Sequence, residues 1–187
     1  LSIVVPCFNE EPGLAELVRR CCQSAAAAVG DSFELILVDD GSSGGSAALL
    51  DALAQRSDRL VVVHLSRNFG HQAAIAAGID HASGDWIAVM DGDLQDPPEE
   101  IPRLLEKALE GFDVVYARRV NRKEGLILRA GYAASYRLIA SLSDIRIPLD
   151  SGDFAVLSRR VASALRATGE RHLFLRGLRA WVGFRQT

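Results

Sequence analysis

Apolar residues along the 187-residue chain gather into short runs at regular intervals: "SIVVP" (2–6), "ELILVDD" (34–40), "LVVVHL" (60–65), "DWIAVMD" (85–91) and "DVVYARR" (113–119). The runs are rich in Val and Ile and apolar nearly throughout, the pattern of strands covered on both faces. Between them the spacing turns helical: Leu14, Leu17, Val18 and Cys21 form one stripe, and Leu49, Leu50 and Leu53 a second. Ala73, Ala74 and Ala77, then Ile101, Leu104, Leu105 and Ala108, supply two more. Pro97-Pro98 followed by Glu99-Glu100 reads as a helix start, with proline in the first turn and acid at the positive end of the dipole. Strand and helix thus alternate, which predicts an α/β fold with a parallel sheet and helices on both faces. Beyond residue 120 the reading is an amphipathic helix over 125–143, a short strand at "SGDFAVLS", a helix over 159–168 and an arginine-rich apolar close, "RHLFLRGLRAWVGF".

Parallel sheets of this kind bind ligands at the carboxyl ends of their strands. Every unusual polar cluster falls there: "PCFNEE" after the first strand, "DDGSSGG" after the second, "SRNFGHQ" after the third and "DGDLQD" after the fourth. The pattern therefore predicts one site on one rim.

The sharpest cluster is "DGDLQD". Asp91 and Asp93 lie two apart, so in extended backbone their carboxylates share a side, and Gly92 lets the chain turn sharply between them. With the amide oxygen of Gln95 they make a hard oxygen set suited to Mg2+ or Mn2+. The bland alternative is a solvated turn, because Asp and Gly are common turn formers. Asp39 and Asp40 stand in a comparable place after the second strand; a carboxylate there either accepts hydrogen bonds from a ribose or base, or caps the following helix. No G-x-G-x-x-G follows the first strand, which argues against a dinucleotide enzyme, and Lys107 and Lys123 are poorly placed for a phosphoryl receiver. His64, His71, His81 and His172 show no metal-ligand spacing and read as packing or surface residues, although His71 lies on the rim.

Composition and charge add three things. A length of 187 residues with 49% hydrophobic content supports one folded domain with a real core. Three cysteines, Cys7, Cys21 and Cys22, are an odd number without zinc-site spacing, so thiols rather than a disulfide framework are expected. The net charge of −3 conceals an asymmetry: residues 1–116 hold 7 Lys/Arg against 19 Asp/Glu, whereas residues 117–187 hold 14 against 5. A solvated basic face is the bland reading, and an anionic partner, phosphate or membrane surface, the sharper one. No apolar run reaches the roughly 20 residues of a membrane helix, and the chain begins inside a strand, so it reads as a piece of a longer protein.

Together, "SIVVPCFNE", "ELILVDDGS", "LSRNFGHQAA", "MDGDLQDPPE", "PLDSGDFAVLSRR" and "RHLFLRGLRAWVGFRQ" resemble the inverting glycosyltransferases of family 2, which have the GT-A fold. Within that family they resemble the polyprenyl-phosphate hexosyltransferases, the group of dolichyl-phosphate mannose synthases and bacterial undecaprenyl-phosphate glucosyltransferases. The resemblance implies a Rossmann-like, mostly parallel sheet in a single domain, residues 1–116 binding a nucleotide sugar and 117–187 the acceptor, ahead of C-terminal membrane segments. It implies Pro6, Phe8 and Glu10 in the nucleotide pocket, Asp39 on the base or ribose, and Asp91 beside the donor diphosphate. Asp93 and Gln95, with Asp91, would hold Mg2+ or Mn2+; Arg119, Arg129 and Arg176 would grip the acceptor phosphate; and Asp153 would stand near the reacting centre. The partners expected are a UDP- or GDP-linked sugar, a polyprenyl phosphate lipid and the cytoplasmic face of a membrane, with no nucleic acid. The closing "RGLRAWVGFRQT" leans toward UDP-glucose, with GDP-mannose and UDP-N-acetylhexosamine as alternatives. A sugar-nucleotide-binding module without activity and a polysaccharide-extending transferase are the rivals; for the latter, "FLRGLRAW" does not fit the expected "QxxRW" segment.

Overall fold

The computed structural model describes residues 1–118, 151–169 and 174–187. Six strands form one sheet: β1 (Ser2–Cys7), β2 (Glu34–Asp39), β3 (Leu60–His64), β4 (Trp86–Val89), β5 (Val114–Arg118) and β6 (Ser151–Ser158), in the order β3-β2-β1-β4-β6-β5. The pairs β1–β2, β1–β4 and β2–β3 are parallel, as the buried apolar runs predict. The sixth strand runs antiparallel to both of its neighbours and separates β4 from β5. Its direction follows from where it starts: β5 leaves the sheet at Arg118, β6 enters opposite it at Ser151, and a strand that begins on the rim where the last one ended must run back.

Side chains alternate across the sheet. Ile3, Val5, Leu35, Leu37, Ala88, Phe154 and Val156 face one core, with Leu14, Leu17, Leu50 and Ile101. Val4, Ile36, Val38, Ile87, Val89, Ala155 and Leu157 face the other, with Ala74, Ile75, Val161 and Leu175. Helices α1 (Leu14–Val29), α2 (Ser46–Ala54) and α4 (Ile101–Leu109) therefore cover one side, and α3 (His71–His81), α5 (Arg159–Ala167) and α6 (Leu175–Trp181) the other. The Pro97-Pro98 start is realised as a 3-10 turn, Pro98–Glu100, that hands over to α4. The outer edge of β5 is covered by the end of the chain, where Asp113 N donates to Arg185 O (2.8 Å) and Thr187 N to Val114 O (3.0 Å).

The three cysteines are free. Cys7 and Cys21 are core residues whose thiols burial pushes up to about 12, so neither is a nucleophile at neutral pH. No helix among the described residues is long and apolar enough to cross a membrane. The 125–143 helix expected from sequence lies outside the described residues.

Candidate active site

The loops after the first three strands are knitted together on the carboxyl rim. Asn9, in left-handed backbone (φ 57°), receives a bond on its side-chain oxygen from Ser43 N (2.9 Å), while its own N–H donates to Ser42 Oγ (3.0 Å). Asp40 accepts from Phe69 N (2.7 Å) and Gly70 N (2.9 Å), drawing the 65–70 loop over the end of β2. That approach is so close that a Cβ on Gly41 (φ +68°) would lie 2.4 Å from the carbonyl carbon of Arg67, so only glycine fits there. The result is a cleft of about 380 Å³ whose lining includes Pro6, Phe8, Glu10, Asp40, His71, Asp91 and Asp93.

The far end of the cleft is set by strand register. Val89 pairs with Ala155 in the antiparallel β4–β6 ladder, so two residues further along β4 and two back along β6 bring Asp91 opposite Asp153. His71, the first residue of α3, stands between them, its Nε2 3.2 Å from Asp91 Oδ1 and 3.4 Å from Asp153 Oδ2. Asp153 is 6% exposed and heavily bonded. Arg176 donates Nε to its Oδ1 (3.0 Å) and a terminal nitrogen to its Oδ2 (3.2 Å), and Gln72 Nε2 donates to the same Oδ2 (3.2 Å). Burial pushes its carboxyl up, but the bonds from His71 and Arg176 outweigh it and hold the group well below the usual carboxylate range. Conversely, Asp153 and then Asp91 push the His71 imidazole up to about 9. Beneath them the buried Arg179 donates to Asp153 O (3.3 Å) and Gly152 O (3.0 Å), fixing the backbone from which Asp153 projects; burial brings its guanidinium down to about 10.

Of the residues singled out in the sequence, Pro6, Phe8, Glu10, Asp91 and Asp93 line one cleft, with Asp153 and Arg176 at its end. Asp39 is placed differently. It is 3% exposed, one oxygen accepting from Ser42 N (2.9 Å) and the other 2.8 Å from His64 Nδ1, so it holds a turn and a histidine rather than facing the cleft. Gln95 faces a separate hollow between α4 and β5, beside Asp96 and Arg118. Arg119 and Arg129 lie outside the described residues. Sequence reasoning gave Gln72 and Arg179 no separate role, weighed Asp40 only together with Asp39, and set His71 aside as a packing or surface residue. Their one signal was position: His71 and Gln72 belong to the block that follows β3 onto the rim.

Whether these residues suit a divalent cation depends on which oxygens are uncommitted. His71, Asp91 and Asp153 lie close enough to share an ion, but both oxygens of Asp153 carry bonds from Arg176, whose charge would repel one. The Asp91 side is different. Its Oδ1 is buried and, despite the nearby His71, lacks a partner in hydrogen-bond geometry among the described residues. The His71 imidazole 3.2 Å away offsets the charge of that oxygen without a well-aligned hydrogen bond, so the oxygen still has room for a further donor or cation. Asp93, exposed on the same cleft, accepts from Gln95 N through Oδ1 (3.0 Å). The two carboxylates on the cleft thus fit a hard cation better than the His71 group does.

A family model described as glycosyl transferase family 2 matches residues 2–166. The chain belongs to that family. An uncharacterized glycosyltransferase of Bacillus subtilis is 43% identical over 187 residues, which is 100% of this chain and 58% of the relative. An undecaprenyl-phosphate 4-deoxy-4-formamido-L-arabinose transferase of Salmonella paratyphi B is 47% identical over 131 residues, 70% of this chain and 40% of the relative. Among solved structures, a mannosyltransferase of Pyrobaculum calidifontis in complex with GDP-Man and Mn2+ superposes with a TM-score of 0.68 over 99% of this chain and 53% of that one. At 19% identity the last likeness shows the shared α/β fold of the family and nothing finer. The chain spans less than two thirds of the length of each of these relatives.

Proposed function

We propose that this family 2 chain transfers a hexose from a nucleotide sugar to a polyprenyl phosphate, with inversion at the anomeric carbon and with a divalent metal. The observation that carries the reading is the placement of Asp153 and Arg176 directly across from Asp91 at the end of the cleft. Two anionic substrates have to meet for such a transfer, and the site offers each its own provision: paired carboxylates on the cleft for a metal-bound diphosphate, and a guanidinium at its end for a phosphate. Mg2+ or Mn2+ held by Asp91 and Asp93 would neutralise the charge that develops on the departing nucleoside diphosphate. Pro6, Phe8 and Glu10 would line the nucleotide end.

Arg176 is the acceptor-side group in this reading, with Arg119 and Arg129 as further candidates from the sequence. A guanidinium can hold a phosphate through parallel N–H donors, which lysine cannot reproduce. A phosphate monoester is largely dianionic at pH 7, so the nucleophile arrives without a proton to remove. Asp153 suits that economy. Its oxygens are taken up by Arg176 and Gln72, which makes it a holder of cations at the reacting centre rather than a group poised to accept a proton. Attack opposite the leaving group turns an α-linked donor into a β-linked lipid-phosphate sugar. Residues 1–116 serve the donor and 117–187 the acceptor. The Salmonella relative, whose name gives undecaprenyl phosphate as acceptor, supports the lipid class, and a lipid acceptor sets the protein at a membrane surface, by this reading the cytoplasmic one. UDP-glucose is the donor favoured by the closing sequence.

The test is thermal stability with UDP and GDP, with and without Mn2+, followed by product formation from UDP-glucose and undecaprenyl phosphate. Ligand at about a hundred times its Kd stabilises by about 2.7 kcal/mol, and that shift should require Mn2+ and disappear in Asp93→Ala while the fold is retained. GDP preference would move the donor to a mannosyl one. Metal-dependent nucleotide binding with no product on a lipid phosphate would leave a binding module, and no binding at all would overturn the reading.

A further inference from the structure

We infer that Gln72 is a positioning residue that brackets the C-terminal helix to the reacting centre, and so sets where Asp153 and Arg176 stand. The inference rests on the transferase reading above for its consequence, though not for its geometry. Gln72 follows His71 in the first turn of α3 and is half-buried. Its Nε2 donates to Asp153 Oδ2 (3.2 Å), and its Oε1 accepts from the backbone N–H of Leu175 (3.0 Å), the first residue of α6. The amide can sit only one way round, because a carboxylate needs the NH2 end and a peptide N–H needs the oxygen.

One short side chain thus joins three separate pieces of chain. The Leu175 N–H is one of the first donors of α6, which has no partner within its own helix. No side-chain cap serves that helix, whose flanking residue is Phe174. Gln72 supplies the acceptor from another element instead. One residue further along α6, Arg176 makes its two bonds to Asp153, and Arg179 bonds the backbone at Gly152 and Asp153. The helix is therefore tied to β6 by its arginines, and tied to α3 by Gln72 alone of the side chains that bond its backbone among the described residues. The bracket fixes Asp153 against rotation about its own side-chain bonds: Arg176 pulls from one direction and Gln72 from another. Removing Gln72 leaves both charges paired but releases the angle at which they face Asp91. Misplacement of this kind costs turnover rather than ground-state donor affinity, since the donor end of the cleft, at Pro6, Phe8 and Glu10, is built from other loops.

The experiment compares Gln72→Met, which keeps length and removes both bonds, with wild type in two measurements on the purified protein. The first is amide hydrogen exchange at the start of α6, read without any substrate. Exchange at Leu175 should be at least 10-fold faster in Gln72→Met while amides of β1 and β2 keep their protection; unchanged exchange at Leu175 overturns the bracket. The second is transfer to undecaprenyl phosphate, where kcat should fall by 10- to 100-fold with Mn2+-dependent UDP affinity held within about twofold. A kcat within twofold of wild type, or an equal loss of UDP affinity, overturns the positioning role. Gln72→Glu, which restores the acceptor for Leu175 but sets a carboxylate against Asp153, should recover slow exchange and not recover kcat; a variant with only a structural defect would recover both or neither. A wild-type protein that binds nucleotide and makes no product overturns the function proposed above and leaves the exchange result to decide the bracket.

Discussion

Asp39 and Asp40 are neighbours in the chain and are used for opposite ends. Asp40 spends both oxygens on the backbone of the 65–70 loop and so builds a wall of the cleft. Asp39 faces away, toward Ser42 and His64, and His64 in turn reaches Asp51 Oδ1 through Nε2 (3.0 Å). The bond to Asp51, then that to Asp39, raises the His64 imidazole above its ordinary 6.5. The sign follows from the direction. A group that holds its proton more tightly in the native state contributes stability in full below the unfolded value of about 6.5, and loses it as pH rises through the higher native value. Asp51 and His64 are both substantially exposed, so solvent screening limits their share to under about 1 kcal/mol. Asp51→Asn should accordingly lower the melting temperature at pH 6 and converge on wild type by pH 9. A difference that stays constant across that range would mean that the pair does not titrate with folding.

At the scale of elements, α3 carries the most consequence for its length, because its first two residues, His71 and Gln72, meet Asp153, and His71 also Asp91. What lets it sit close enough is Gly78. A Cβ there would come within 2.3 Å of Val4 Cγ1 and 3.0 Å of Val38 Cγ2, both on buried strands. Alanine gains about 1 kcal/mol of helix propensity over glycine, but overpacking a buried contact costs roughly 1–3 kcal/mol, and at 2.3 Å the second effect wins. Gly78→Ala should lower the melting temperature by a few degrees, as about 1 kcal/mol does for a domain of this size; an unchanged or higher value would show that α3 has room to spare. Much of this element level was legible in the sequence. Buried parallel strands are continuous apolar runs, and the polar clusters that end them fell on one rim, as the crossover geometry requires. Strand order was not legible, because the apolar pattern of β6 looks the same whether it lies at an edge or between β4 and β5. With that order went the meeting of Asp153 with Asp91. Asp39 shows the same ambiguity at one residue: a carboxylate just past a strand has the same sequence signature whether it serves a ribose or base or braces a turn, and here its oxygens meet Ser42 and His64. His71 and Gln72 lie within the "LSRNFGHQAA" block, but the block by itself assigns them no contact, and their partners appear only when α3 is laid beside β6.

For the whole molecule, the charge asymmetry remains the feature that packing does not explain. The first 116 residues carry 19 acids against 7 bases, yet by the proposed function the rim they build receives a diphosphate, which a metal on Asp91 and Asp93 would reconcile. The excess of bases lies in 117–187, where Arg118, Arg122 and Lys123 are close in sequence to the end of β5. Arg118 is described and exposed at the edge of the sheet; Arg122 and Lys123 lie outside the described residues. If this basic stretch serves a lipid acceptor, it should favour an anionic membrane surface, where each Lys or Arg contributes about 1 kcal/mol and the attraction fades within a Debye length. Sedimentation with phosphatidylglycerol-containing vesicles should then exceed that with neutral vesicles at 50 mM salt, and the difference should collapse at 500 mM. Arg122→Gln combined with Lys123→Gln should weaken the binding by roughly 30-fold, the equivalent of two such charges, while leaving metal-dependent nucleotide binding in place. Equal sedimentation with both kinds of vesicle would detach the charge asymmetry from the membrane and leave it as a solvated face. Loss of nucleotide binding in the double variant would instead place these bases at the donor, against the division of the chain into donor and acceptor halves.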